Sequence, residues 1–404
     1  MSFVKTFLKD VSAKARDQLW KLPYVKPGSP SDHIRIFSHP AKHVFFGYFD
    51  VTPFSTQGES ILAHQTAFNQ SSQTPSAVAD IGYFDFDSSE FHLLAKTKAW
   101  CWQQGSRLQF FNDDSVFFNR AHQNKAEYEG VVYSLKSKES EISFSRALYC
   151  LSPDRSMGLS LNFSRLQRLR PGYGYSTFAD ESRNERAPAT DGVWIGDLLK
   201  NEFRLLISIQ ELARLSPSSE AEEAEHYINH LNFSPDGKKF IFFHLWKSKS
   251  QKYGRCFWYD LKTSSLKLIN IPGNPSHFAW RNSNELLFTY RDRNLKQIGY
   301  FLHSLDLDQR THLTSADLQR DGHPTFLNES VFITDTYPSR TGRQELFKYD
   351  MQDNRKTSLG KFYRRSAFNG EFRIDLHPRL NTQRSLVAID DEHRNFRALK
   401  VLTL

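Results

Sequence analysis

The chain alternates short apolar runs with polar turns, and one such unit recurs along most of its length. In its clearest copy a short strand ends at Phe233, the turn 234–237 follows, and an apolar strand continues to His244. Two further strand-like runs come next, at 256–260 and 266–269, so each unit predicts four strands. Seven copies are each anchored by a large apolar residue before the turn: Phe54, Phe110, Leu151, Phe233, Trp280, Phe326 and Leu380.

The spacing of these anchors predicts a seven-bladed β-propeller. Successive anchors lie 56, 41, 82, 47, 46 and 54 residues apart, close to the roughly 40 to 50 residues of a propeller blade. The interval of 82 indicates an insertion between the third and fourth units. Apolar runs at 33–38 and 397–404 are placed to pair and close the ring. We therefore expect an all-β propeller over residues 31–404.

Residues 1–30 carry a different pattern, with an apolar stripe at helical spacing and basic residues off the stripe. The stripe consists of Val4, Phe7, Leu8, Val11, Ala15 and Leu19. It predicts a short N-terminal amphipathic helix and a linker, with the helix packed on the propeller or in peripheral contact with a membrane surface. The sequence contains neither a signal-peptide core nor an apolar run of about 20 residues, which predicts a cytoplasmic protein.

Composition narrows the classes of partner. The 404 residues are 39% hydrophobic and 24% charged, as in soluble globular proteins. Three scattered cysteines indicate neither a disulfide framework nor a thiolate zinc site. A net charge of +8 favours an acidic partner, but the basic residues are dispersed and no nucleic-acid module is present, so we expect no nucleic acid. A monomer and a homodimer both remain open.

Four successive units place a histidine three residues before the anchor, at His230, His277, His323 and His377. Since the innermost strand of each blade lines the central channel, we expect these side chains to converge there. Imidazole ligands suit Mn, Fe, Zn or Ni better than Mg or Ca, and manganese is our first choice. A packing histidine carried through the repeat is the alternative interpretation.

Polar residues also lie where second strands end or where loops enter a first strand. We expect these residues to surround the same mouth and to bind substrate in a polar, cationic pocket. Solvated loop residues are the alternative. The candidates are Gln103, Gln104, Arg120, Asn162 and His244.

A further set, His43, His64, Tyr149 and Arg165, has two histidines about twenty residues apart, followed by a tyrosine and an arginine sixteen apart (165 − 149). This order is similar to the catalytic group of ulvan lyases and rhamnosyl-glucuronate lyases, which are β-propeller polysaccharide lyases. The four-histidine ring resembles the metal site of oligogalacturonate lyases, in which one ligand is a glutamine. The stretches 321–324 (Asp-Gly-His-Pro) and 375–378 (Asp-Leu-His-Pro) also look like those of bacterial relatives of these enzymes.

This resemblance implies a lyase that cleaves a 4-linked uronic acid in an acidic oligosaccharide or polysaccharide by β-elimination. His64 and Tyr149 would then be acid and base, in either order, with His43 orienting His64 or binding substrate. Arg165, the metal or both would neutralise the substrate carboxylate. Two other functions stay open: a noncatalytic propeller that binds an acidic glycan or a protein, and a metal-dependent sugar hydrolase or transferase.

Overall fold

The computed structural model describes residues 34–70, 72–215, 219–248 and 251–404. Within these ranges the strands form seven four-stranded antiparallel sheets, so the prediction of a seven-bladed β-propeller is confirmed. The helix predicted in residues 1–30, and with it the membrane contact, lies outside the described residues. No helix in the described part of the chain has the length and apolar character needed to cross a membrane.

The first strand, β1 (Ile34–Phe37), belongs to the last blade, and the other strands follow in chain order. Blade 1 contains β2 (His43–Phe45), β3 (Ser60–Thr66), β4 (Ala79–Asp85) and β5 (Phe91–Thr97). Blade 2 contains β6 (Gln109–Asn112), β7 (Ser115–Ala121), β8 (Tyr128–Ser134) and β9 (Ser140–Phe144). Blade 3 contains β10 (Cys150–Leu151), β11 (Met157–Ser160), β12 (Gly192–Asp197) and β13 (Glu202–Ser208).

Blades 4 to 7 are built in the same way. They contain β14 (Glu225–Phe233), β15 (Lys239–Ser248), β16 (Gln251–Asp260), β17 (Ser265–Leu268); β18 (Pro275–Trp280), β19 (Glu285–Asp292), β20 (Gln297–Ser304), β21 (Gln309–His312); β22 (Thr325–Phe326), β23 (Val331–Asp335), β24 (Arg343–Asp350), β25 (Arg355–Tyr363); β26 (Arg379–Leu380), β27 (Leu386–His393) and β28 (Phe396–Thr403).

Antiparallel pairing between the two ends of the described chain closes the ring. In blade 7, β1 is the outer strand and pairs with β28, with Ile34 opposite Leu402 and Phe37 opposite Leu399. Phe37 is 1% exposed and packs against the rings of Phe84 and Phe86 in blade 1. The β1 strand therefore joins the last blade to the first through side chains as well as hydrogen bonds.

Burial falls from the inner to the outer strands of each blade. Second strands such as β15 are buried on both faces, because the sheets of neighbouring blades pack against them, whereas the outer strand β17 is largely exposed. This difference explains why second strands read as continuous apolar runs in the sequence.

The insertion expected between the third and fourth anchors consists of two parts, one inside blade 3 and one before blade 4. A loop of residues 161–191 carries the helix α1 (Phe163–Leu169) between β11 and β12, and the helices α2 (Ile209–Arg214) and α3 (Ser219–Glu222) precede β14. Ser208 and Glu211 form a capping box at the start of α2, which fixes where the chain leaves β13. Two short 3-10 helices lie at Ala316–Leu318 and Gly370–Phe372.

Replacing Phe37 by Ala tests the closing contact. We expect a loss of about 3 to 4 kcal/mol in the free energy of unfolding, because a buried aromatic ring is removed and the two neighbouring blades cannot refill its space. Denaturant unfolding measures this loss. Leu404→Ala, at an exposed end of the same strand pair, is the control and should change stability by less than about 0.5 kcal/mol. Equal effects of the two substitutions would contradict a role of Phe37 in closure.

Candidate functional site

The position three residues before the anchor directs side chains into the central channel. Arg107, His230 and His377 hold this position in blades 2, 4 and 7, and all three have left-handed backbone, with φ of 61°, 55° and 48°. In β14 the sheet register shifts between Asn229 and Asn232, so His230 lies at an irregularity inside the strand and not at its start. The irregular backbone turns each side chain out of the sheet and toward the axis.

Three of the four predicted histidine ligands lie side by side in the channel. The ring centre of His323 is 4.0 Å from that of His277 and 4.4 Å from that of His377. The fourth, His230, stacks on Tyr48, whose ring also contacts His377. All four histidines are buried.

The Nδ1 atom of each clustered histidine has a fixed protein partner. Nδ1 of His277 lies 3.0 Å from Asp321, and Nδ1 of His323 lies 2.9 Å from Asp335. Nδ1 of His377 donates to the carbonyl oxygen of Gly47 at 2.9 Å. These bonds leave Nε2 of each ring to face the channel, which is the orientation of metal-ligating histidines.

Two of these Nε2 atoms, on His323 and His377, have no hydrogen-bond partner among the described residues although both are fully buried. Nε2 of His277 faces the Tyr337 hydroxyl at 3.4 Å. Oδ1 of Asp375 is also buried and accepts no hydrogen bond from the described part of the chain, with Arg364 3.8 Å away. One donor atom each of His323, Asp375 and His377 lies within 4.8 Å of the others.

This cluster fits a divalent metal. Buried polar atoms without partners cost free energy, and a cation would satisfy three of them at once. Burial lowers the pKa of His277 and His377, so both rings are neutral, as ligands must be. Burial also lowers the pKa of His323, but the carboxylates of Asp335, Asp375 and Asp321 together outweigh burial and the net shift is upward. Mixed nitrogen and oxygen donors suit Mn, Fe or Zn.

Asp375 was missing from the predicted ligand set, which contained only histidines. The motif Asp-x-His-Pro, shared by 321–324 and 375–378, was the signal for it. The two aspartates act differently, since Asp321 bonds to His277 of the preceding blade while Asp375 faces His323 and His377. His277 and His230 are not part of the 4.8 Å group, and their role as ligands stays a prediction.

A cationic wall adjoins the histidines. The guanidinium of Arg170 lies 4.3 Å from the ring centre of Tyr173, and Nη2 of Arg373 donates to the Tyr173 hydroxyl at 2.6 Å. Tyr173 in turn contacts the ring of His230. Burial raises the pKa of Tyr173, but Arg373 and Arg170 outweigh burial and lower it. Neither arginine is predictable from the repeat, because each lies in an irregular loop outside it.

Three loops meet over this mouth, and Gln103 joins them by hydrogen bonds. The Gln103 amide donates to the carbonyl oxygens of Glu371 at 2.8 Å and Arg373 at 3.0 Å, while its backbone N–H donates to Gly172. Gln103 therefore holds the loop 100–104, the 161–191 loop at Gly172 and the 370–373 segment together.

Gln104 and Tyr149 join the channel wall through a hydrogen-bonded chain. Nε2 of Gln104 donates to the Tyr149 hydroxyl at 2.7 Å, and this hydroxyl lies 3.2 Å from Oδ1 of Asn229. The Asn229 amide reaches His230 at 3.2 Å. Burial raises the pKa of Tyr149, so its hydroxyl keeps its proton in the resting protein.

The other candidate catalytic residues are engaged elsewhere. Nδ1 of His43 accepts from the backbone of Arg397, and burial together with Arg397 lowers its pKa to about 4. His64 accepts from the Ser106 backbone through Nε2, and burial lowers its pKa to about 3. Both rings pack among the aromatic side chains of Phe45, Trp102 and Phe372.

Arg165 anchors the insertion. Its guanidinium donates five hydrogen bonds, to the carbonyl oxygens of His226, Ser182, Glu185 and Arg186 and to the Ser182 hydroxyl. A substrate carboxylate would have to displace some of these bonds before Arg165 could bind it.

The remaining predicted substrate contacts also have internal partners. Arg120 bonds to Glu129 and to Ser140 of the outer strand β9, and so points away from the channel. Asn162 caps α1 and donates to Asp191 and Asp180. The mouth predicted for these residues therefore divides into the histidine channel and a separate polar region at blades 2 to 4. Their binding roles stay predictions.

Solved structures with this fold include two lyases. An oligogalacturonate lyase in complex with manganese is 11% identical, with a TM-score of 0.64, and the match covers 94% of this chain and 96% of that one. The oligogalacturonate lyase of Vibrio parahaemolyticus matches at 10% identity with the same TM-score and coverage. The β-propeller domain of the Trilobed protease from Pyrococcus furiosus is also similar (10% identity, TM-score 0.52, covering 89% and 95%).

Likeness at these identities establishes the fold alone. No protein-family model matches the sequence, and no curated protein is similar to it in sequence. The resemblance to ulvan lyases and rhamnosyl-glucuronate lyases stays a prediction.

A buried histidine pair near α3 predicts loss of stability in acid. Nδ1 of His226 and Nε2 of His244 are 2.9 Å apart, Nε2 of His226 donates to Ala221, and Nδ1 of His244 accepts from Arg255. When both rings are neutral, each hydrogen bond in this row has one donor and one acceptor. Burial lowers the pKa of both histidines. Because the unfolded chain binds these protons near pH 6.5, stability is complete above that pH and falls as the pH decreases.

Replacing His244 by Gln removes one of the two histidines whose protonation causes this loss of stability. Glutamine retains a donor and an acceptor but does not titrate, so below pH 6 the slope of unfolding free energy against pH should become shallower by about 1.4 kcal/mol per unit. Chemical denaturation between pH 7 and 5 gives both slopes. His92→Gln, at an exposed position, should leave the slope as in the wild type. An unchanged slope in His244→Gln would show that His244 is already protonated in the fold.

Proposed function

We propose that this protein is a divalent-metal-dependent lyase that cleaves a uronic-acid-containing saccharide by β-elimination. The observation that carries the proposal is the cluster of His323, Asp375 and His377, with Nδ1 anchors behind the histidines and unpaired donor atoms facing the channel. The shared fold of a manganese-bound oligogalacturonate lyase adds support.

In this proposal His323, His377 and Asp375 hold the metal, and His277 and His230 line the same channel. A bound divalent cation would supply Lewis acidity toward a carboxylate oxygen of the substrate. Arg170 adds positive charge beside it, which lowers the cost of the carbanion-like state that forms when the C5 proton leaves. Arg373 pairs with the Asp375 carboxylate at 2.7 Å, so its charge is offset by that ligand.

Proton transfer requires a group that reaches the channel. The Tyr173 hydroxyl is held by Arg373 and lies beside His230, so it is the best-placed candidate for the base. The Tyr149 hydroxyl, buried and hydrogen bonded to Gln104, is the candidate that the resemblance implies. The protonated state of Tyr149 suits donation of a proton to the leaving O4 oxygen.

One observation favours the alternative of a noncatalytic propeller that binds an acidic glycan. His43, His64 and Arg165, which the resemblance places in catalysis, all have internal partners, although Nδ1 of His64 has none among the described residues. Metal binding without turnover on any uronate substrate would support that alternative.

Metal affinity tests the ligand set. We expect His323→Ala, His377→Ala and Asp375→Asn each to weaken manganese binding at least about 100-fold, and Asp335→Asn, which removes only the anchor of His323, to weaken it about 10- to 100-fold. Isothermal titration calorimetry measures these affinities. His303→Gln removes a buried histidine of β20 and is the matched control. Wild-type affinity in all the cluster variants would refute the site.

Turnover tests the two tyrosines. Metal-loaded protein is incubated with a panel of uronic-acid oligosaccharides, and the ultraviolet absorbance of the unsaturated product is followed. Tyr173→Phe and Tyr149→Phe should each lower kcat at least about 100-fold while leaving manganese affinity intact, because each loses a proton-transfer group. Tyr259→Phe, in blade 4 away from the mouth, should keep full activity. Full activity in Tyr173→Phe or in Tyr149→Phe would remove that tyrosine from the mechanism.

A further inference from the structure

A second concave region lies at the other end of the channel, where the first and second strands of each blade are joined. Two adjoining cavities of about 410 Å³ each share Asp50, Asn232 and Pro235 as lining residues. Hairpin turns or strand ends of all seven blades contribute to their walls. We call this region the basal bowl.

The charged lining of the basal bowl is mostly cationic. It consists of Asp50, Arg107, Arg155, Arg281 and Arg384. Asp50 is already neutralised, since its two carboxylate oxygens accept from Arg107 at 3.1 and 2.9 Å. Arg281 pairs with Glu285 at 3.2 Å.

The charges of Arg155 and Arg384 have no such compensation. Arg155 donates to the side-chain oxygen of Gln109 and to the carbonyl oxygen of Phe110, both at 3.1 Å, and Arg384 donates to the carbonyl oxygen of Leu327 at 2.6 Å. All three acceptors are neutral, and among the described residues neither arginine forms an ion pair. Burial lowers the pKa of Arg155, as expected for a cation without a carboxylate beside it.

Two acidic residues in hairpin turns around the bowl are used locally. Asp154 accepts from Ser152 and Ser156, and Asp236 accepts from Ser234, so both carboxylates serve their own hairpins. Neither carboxylate lines the cavities.

The turns themselves do not require arginine. Arg155 and Arg384 occupy the same left-handed position, φ 62° and 56°, that Gly58 and Gly237 occupy in blades 1 and 4. In all four turns the backbone N–H of this residue donates to the residue three positions earlier. Glycine adopts this conformation without steric cost, whereas other residues adopt it at some cost. Hairpin geometry therefore does not explain the two cations.

We propose that the basal bowl binds small anions bearing carboxylate or phosphate groups, with Arg155 as the charged contact in one cavity and Arg384 as the charged contact in the adjoining one. Guanidinium groups bind both kinds of oxyanion through paired N–H donors. Trp280, Phe326 and Pro235 give the bowl apolar walls for the body of such a molecule. This site is independent of the proposed lyase function.

Glycine substitution gives a sharp test because it fits the turn better than arginine does. We expect the wild-type protein to bind citrate or inorganic pyrophosphate, measured by isothermal titration calorimetry at low salt. Arg155→Gly combined with Arg384→Gly should keep or raise the unfolding midpoint and weaken that binding at least about tenfold. Arg155→Gln with Arg384→Gln is a second pair that removes the charges without removing the side chains.

The matched control is Lys296→Gly, which removes a cation from an equivalent left-handed conformation, φ 56°, in an exposed turn away from the bowl. Its anion affinity should equal that of the wild type. His323→Ala should also bind the probes normally, because it alters only the opposite mouth. Failure of both probes to bind the wild type, or equal binding by the double variants, would overturn the proposal. Loss of metal binding or turnover at the histidine mouth has no bearing on this result.

Discussion

Pairing of β1 with β28 fixes the position of every group on the axis. A ring of seven blades is closed only if the last sheet packs against the first, and here β1 supplies both the outer strand of blade 7 and the ring of Phe37 against blade 1. Once the ring is closed, equivalent residues of different blades must point at the same short stretch of the axis. His277, His323 and His377 are brought together by this symmetry although more than forty residues separate each from the next.

The symmetry of the ring alone would give the three histidines identical surroundings. Their charged neighbours make these surroundings different. Asp335 raises the pKa of His323, while burial lowers the pKa of His277 and His377. The Nδ1 partner differs in each case: Asp321 of the next blade, Asp335 of the same blade, or the carbonyl of Gly47. Gly47 has φ of 142°, and a Cβ there would lie 2.9 Å from the backbone of Gln104. Only glycine therefore lets the backbone at position 47 lie this close to Gln104.

The repeat made the blades, the closure and the convergence of the histidines predictable, because spacing within a unit determines position in the ring. Contacts between loops carry no such signal. Asp375, Arg170 and Arg373 lie outside the strands, and their places depend on how three loops pack over the mouth. The internal partners of Arg120 and Arg165 carry no such signal either, since a strand end or a motif does not reveal that Glu129 or five carbonyl and hydroxyl oxygens already bind the guanidinium.

The two ends of the channel are physically separate. Tyr48 and Phe49 fill the space between the histidines, and below them Asp50 pairs with Arg107, with side chains only 3% and 1% exposed. Such a buried pair adds little net stability, but breaking it leaves a charge without a partner and is therefore costly. The 48–50 segment thus acts as a fixed plug. The cations at the mouth and those of the bowl lie on opposite sides of this segment.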